Sequence, residues 1–241
     1  MKELSNNKVM VFGDSVSKGV VYDGRELSVL DNGVVKKVTD HYRVEFKNIS
    51  VYGQTLKRLY DRRIIDKHLK EMSDEDAALT YVVLVIGGND CDFDWKAVAD
   101  TPEAEHQPKT PVAVFADVLH EFVSVVSRAG GTPVLCTLPP IDCARYFAWI
   151  TRDGLNKEHI LRFLGVQERI YRWQEYYSTV ALRVAAQTNS LCLPLREAFL
   201  ERVRGEDVLC EDGIHPNALG HRIIAETAMR GMVKCGFMPC T

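Results

Sequence analysis

Four short stretches place reactive or polar groups directly after apolar runs: Gly13-Asp14-Ser15, Gly53 within SVYGQT, Asn89-Asp90 within GGND, and Asp212 with His215 within EDGIHPNALGH. Ser15 supplies a hydroxyl. An imidazole can take a proton from a hydroxyl, and a carboxylate three residues away on a turn can hold one ring nitrogen so that the other faces the nucleophile. Attack on an ester carbonyl creates an oxyanion, which needs fixed donors. Gly53 lets a backbone N–H approach closely, and Asn89 offers a neutral amide donor that forms no ion pair. Each feature taken singly also has an ordinary structural role: small polar residues often follow strands, Asp-Gly turns open helices, and Gly and Asn are frequent in turns.

Other chemistries fit less well. A phosphate-binding loop needs two glycines around four residues and then Lys-Ser/Thr, whereas GDSVSKG puts Lys18 out of register with no hydroxyl after it. The run DCDFD (Asp90, Asp92, Asp94) lacks the glycine and distal glutamate of a calcium loop. The expectation is that Asp14 and Asp90 brace their loops by accepting backbone N–H bonds, and that Asp92 and Asp94 are solvated. No metal and no cofactor is expected.

The elements that must position these groups follow from periodicity. Apolar, β-branched runs at Lys8 to Phe12, Arg43 to Val51, Tyr81 to Ile86, Thr132 to Leu138 and Leu191 to Leu193 predict strands. Several lack alternation, as strands buried on both faces do. Helical spacing predicts a helix over Pro111 to Ala129, with Thr110 as N-cap and Gly130 beyond its end. Further helices are predicted over Thr55 to Met72, over Asn156 to Thr188 with an interruption near Gly165, and over Ala218 to Val233. Strand and helix alternate throughout, which argues for a three-layer α/β domain of about five parallel strands. In such a sheet ligands bind beyond the carboxyl ends of the strands, where all four stretches fall.

The 241 residues, 46% hydrophobic and 26% charged, suit one globular domain over 1–241. Two decorations interrupt it: a hairpin near 25–38 signalled by Asn32-Gly33, and a long acidic loop over 91–110. A formal net charge of -3 gives no general attraction to nucleic acid or to an anionic membrane, and neither partner is expected. The start MKELSNNKVMVFGD has no secretory apolar segment, and the seven cysteines are scattered and odd in number. Reduced thiols in a cytoplasmic protein are the simplest expectation, with Cys235 and Cys240 left in a tail over 235–241.

Taken together, GDS, the glycine of SVYGQT, GGND and DGIHPNALGHRIIAE resemble the SGNH (GDSL-type) hydrolase family, in the family's order, from residue 9 to about 228. The resemblance implies a flavodoxin-like α/β/α fold and hydrolysis of acyl esters through a serine acyl-enzyme. By matching position it makes Ser15 the nucleophile, His215 the general base and Asp212 its orienting carboxylate. The oxyanion hole it implies comprises the backbone N–H of Ser15, that of Gly53, and the Asn89 side chain. Two departures stand out: Val16 replaces the leucine of GDSL, and Gly88 makes the usual Gly-x-Asn-Asp into GGND. Neither removes a reacting group. Asp14, Trp95, Tyr146, Phe147 and Trp149 are candidate substrate contacts, as linings of an acyl pocket or platforms for a sugar ring. The expected substrate is a small acyl group on a carbohydrate-like alcohol. An acyltransferase using the same groups, and a non-catalytic binding module on the same fold, are the alternatives.

Overall fold

The first strand, β1 (Lys8–Gly13, KVMVFG), is buried along almost its whole length and divides its side chains between two cores. Met10 and Phe12 enter one apolar cluster, while Val9 and Val11 enter another. The same period-two division recurs in β5 (Thr80–Val85), where Val82 and Leu84 oppose Val83, and in β6 (Thr132–Cys136), where Leu135 opposes Val134 and Cys136. Strands that bury both faces need helices on both, which explains their continuous apolar character. The computed structural model describes residues 7–30, 44–202 and 207–234.

The main sheet is parallel in every pairing, with strand order β4-β1-β5-β6-β7, where β4 is Glu45–Asn48 and β7 is Leu191–Leu193. Helices Leu56–Asp61, Ile64–Lys70, Val112–Arg128 and Arg169–Thr188 cover one face. Leu195–Leu200 and Ala218–Lys234 cover the other. The result is the three-layer, flavodoxin-like α/β/α arrangement, whose strand order reverses direction between β1 and β5. Asp14-Ser15 follows β1 and Gly88-Asn89-Asp90 follows β5, so both flank that switch point.

Several elements differ from expectation. The helix over Thr55 to Met72 is two helices, broken where Arg63 takes a left-handed conformation (φ 49°). The interruption near Gly165 is present, with Gly165 at φ 74° ending Lys157–Leu164. The segment 91–110 is not irregular throughout: it holds helix Trp95–Asp100, capped by Asp94, which accepts from the Ala97 N–H at 3.1 Å. Thr110 does not cap the helix after it; Pro111 holds that position, and the Thr110 hydroxyl instead donates to Asp90 at 2.6 Å. β4 is shorter than predicted and mostly exposed, as an edge strand can be. A small antiparallel ribbon joins β2 (Val20–Tyr22) to β3 (Leu27–Val29), while the Asn32-Gly33 turn and the tail cysteines lie outside the described residues. Among the described residues no helix is long and apolar enough to cross a membrane.

Candidate active site

Ser15 begins the four-residue helix Ser15–Lys18 immediately after β1. Asp14 caps it by accepting the Val16 N–H at 2.9 Å. Gly13 makes the sharp exit possible, since a Cβ there would strike the Ser17 hydroxyl and lie 2.6 Å from the Val85 carbonyl. Ser15 is therefore held at the strand end by local geometry.

His215 sits 200 residues from Ser15 in sequence, with Asp212 three residues before it, on the turn ahead of Ala218–Lys234. One oxygen of Asp212, Oδ1, accepts the N–H of Ile214 at 3.1 Å and that of His215 at 3.0 Å. The other, Oδ2, lies 2.6 Å from His215 Nδ1, and His215 Nε2 lies 3.0 Å from Ser15 Oγ. Gly213 (φ 74°) supplies the left-handed bend, against the Asp142 carbonyl. His215 is 3% exposed and Asp212 1%, so the ordinary alternative of a surface histidine on a helix-opening turn does not hold. Burial by itself would raise the Asp212 carboxyl. The hydrogen bond and charge of His215, with the two backbone donors, outweigh it and hold that carboxyl below the usual carboxylate range.

Asn89 reaches the same edge from β5, its Nδ2 donating to Asp14 Oδ2 at 3.3 Å. Asp90 fixes the loop beneath it: both carboxylate oxygens accept the Leu56 N–H, at 2.9 and 3.0 Å, in addition to the Thr110 hydroxyl. Asp14 and Asp90 thus brace their loops as expected. Burial pushes each of the two carboxyls up to about 6. Gly53 (φ 68°) occupies the turn after β4, closed by the Gln54 N–H on the Val51 carbonyl at 3.2 Å. Its neighbour Tyr52 lays its ring almost parallel to the His215 imidazole, 17° between planes and 6.2 Å between centroids.

A cavity of about 320 Å³ opens beside Ser15, His215 and Asn89. Its walls are largely aromatic and aliphatic, including Phe93, Trp95, Tyr146, Phe163, Ile170 and Trp173. All but Trp173, which packs against the first core, belong to a third apolar cluster built largely by helices Trp95–Asp100, Cys143–Ile150 and Lys157–Leu164 in the segments that follow β5 and β6. Asp92 ties this wall together, its Oδ1 accepting from Trp95 Nε1 at 2.8 Å and from the Tyr146 hydroxyl at 2.7 Å, while Lys109 pairs with Oδ2 at 2.7 Å. Among the described residues no cluster of His, Cys, Asp and Glu is arranged to hold a metal.

Residues 11–223 match the model of the GDSL-like lipase/acylhydrolase family. The chain belongs to that family. Membership places it among the carboxylic ester hydrolases. The fold is shared with the acetylxylan esterase Axe2 from Geobacillus stearothermophilus, at 21% identity and TM-score 0.66 over 96% of each chain. It is shared also with an α/β hydrolase, LAE5, from the metagenome of Lake Arreo, Spain, at 22% identity and TM-score 0.63 over 93% of this chain and 94% of that one. A lipase/acylhydrolase from Enterococcus faecalis aligns at 20% identity and TM-score 0.59, covering 95% of this chain and 96% of that one. No curated protein sequence matches the chain.

Within this GDSL-like chain the structure brings Ser15, Asp212, His215, Asn89 and Asp14 to one edge, with Trp95 and Tyr146 on the cavity wall. Phe147 and Trp149 are not on that wall. Phe147 is buried in the third cluster, and Trp149 packs edge-on against Tyr22 at 4.6 Å with the Arg152 guanidinium 3.5 Å from its ring centroid. Asp92 is not solvated, its side chain being 17% exposed and tied to three donors. Phe163, Trp173 and Tyr52 escaped the sequence because aromatic residues at helical spacing or in turns look like ordinary packing. Only tertiary placement distinguishes them.

Proposed function

We propose that the protein is a serine esterase working through an acyl-enzyme. The observation that carries this reading is the continuous succession Ser15 Oγ, His215 Nε2, His215 Nδ1 and Asp212 Oδ2, with spacings of 3.0 and 2.6 Å across the two hydrogen bonds. His215 takes the Ser15 proton as Oγ attacks the ester carbonyl carbon. Asp212 keeps Nδ1 protonated, so Nε2 is free to accept. The backbone N–H groups of Ser15 and Gly53 and the Asn89 amide donate to the oxyanion that forms. His215 then gives the proton to the leaving alcohol, the acyl group stays on Ser15, and a water activated by the same imidazole releases the acid.

The aromatic cavity beside Ser15 receives the acyl portion. An acetyl group, as in the substrate for which Axe2 is named, leaves most of about 320 Å³ unfilled, so acyl chains of several carbons also have room. The test is release of p-nitrophenol from acetyl to octanoyl esters by the wild-type chain and by Ser15→Ala. Turnover by the wild type that falls to background in the variant is expected. Turnover that survives Ser15→Ala, or a wild type inert to the whole series, overturns the proposal.

A further inference from the structure

The Ser15–His215 pair stands between two unlike environments. On one side is the cavity, which Ser15 and His215 both line; on the other is the turn Val51-Tyr52-Gly53, where Val51 and Tyr52 are 48% and 52% exposed and neither belongs to the cavity wall. The Tyr52 ring lies nearly parallel to the imidazole and extends that side of the site into solvent. A Cβ on Gly53 would meet nothing within 4 Å, so the space beside the turn is open. A large aromatic ring beside a buried histidine is left with about half of its surface uncovered by the fold.

The proposed mechanism, on which this argument rests, fixes what arrives there. The imidazole protonates the leaving oxygen, so the alcohol leaves beside His215; with the acyl chain in the cavity, it projects toward the open side that carries Tyr52. We infer that Tyr52 is the platform for the alcohol portion and that the substrate is an ester of a ring-bearing alcohol, one flat face of which lies on the phenol ring. Aryl rings and the C–H face of a pyranose share this chemistry, and the assay separates them.

The experiment compares butyrate esters of benzyl alcohol, of methyl glucoside at its primary hydroxyl, and of n-hexanol, using the wild type, Tyr52→Phe and Tyr52→Ala. All three esters yield the same butyryl-enzyme, so deacylation is common to them and differences report the alcohol. Tyr52→Ala is expected to lower kcat/KM about three- to tenfold on the benzyl ester, the glucoside ester or both, with the hexyl ester within about twofold of wild type. Tyr52→Phe, which keeps the ring, is expected to restore the ring-ester preference that Tyr52→Ala loses, with the pH profile unchanged, and a loss equal to that of Tyr52→Ala overturns the inference. The ring ester that loses more identifies the source. An equal loss on all three esters, or a shifted pH profile, would mean that Tyr52 acts by positioning His215, and overturns the inference. No loss on either ring ester overturns it too. Both results leave the serine mechanism standing, which the p-nitrophenyl ester series with Ser15→Ala tests by itself.

Discussion

Replacing Asp212 by Asn tests the relay with the least disturbance to the fold. Asp212 Oδ1 accepts two backbone N–H groups, from Ile214 and His215, so the amide oxygen of an asparagine must take that place. The amide nitrogen is then forced to the Oδ2 position, facing His215 Nδ1 across the 2.6 Å contact. Because the amide donates, Nδ1 must become the acceptor and the ring proton moves to Nε2. That N–H then points at Ser15 Oγ, 3.0 Å away, and the imidazole can no longer take the serine proton. A base fixed in the wrong tautomer lowers kcat by about 10⁴ in a comparable triad, equivalent to roughly 5.4 kcal/mol of transition-state stabilisation. Both backbone hydrogen bonds survive, so thermal unfolding is expected to stay close to wild type. Steady-state hydrolysis of p-nitrophenyl butyrate with calorimetry on the same samples gives both quantities. A folded Asp212→Asn protein that loses less than about tenfold in kcat would refute the tautomer argument.

Two further outcomes follow from the same edge. Asn89→Ala removes one proposed oxyanion donor and is expected to lower kcat about 100- to 1000-fold with KM little changed; a loss under about threefold contradicts the role of Asn89. Asp14 gives a stability test. Burial raises its carboxyl from 3.8 to about 6, so the folded chain holds that proton more tightly than the unfolded one. This contribution is fully present below about pH 4 and is lost as pH rises through about 6. Asn does not titrate, so the unfolding free energy of Asp14→Asn relative to wild type should climb by up to about 3 kcal/mol from pH 4 to 7 in urea titrations. A difference that is flat with pH contradicts the assignment.

Much of this architecture is legible because its signals are local. The apolar run of β1 ending in Gly13-Asp14-Ser15, and the Asp212-to-Pro216 turn before a helix, each specify their own geometry within a few residues. The break at Arg62-Arg63 is invisible, since neither residue demands the left-handed conformation that Arg63 adopts. Thr110 looked like a helix cap because Pro111 follows it, but the buried Asp90 twenty residues earlier offers its hydroxyl a charged acceptor. Asp92 looked solvated because its partner Tyr146 lies 54 residues away. The cavity wall depends on how helix Cys143–Ile150 rotates against its neighbours: Tyr146 faces inward while Trp149, one turn on, packs on Tyr22. Periodicity identifies an apolar face but not what that face meets.

An acyl-enzyme mechanism requires that Ser15, activated by His215, form a covalent bond to the reacting group. The most direct measurement is peptide mass spectrometry after exposure to a serine-directed fluorophosphonate. One adduct is expected, on Ser15, lost in Ser15→Ala and strongly slowed in His215→Ala. An unmodified Ser15 in an actively hydrolysing sample, or an adduct on another hydroxyl whose removal abolishes turnover, would contradict it.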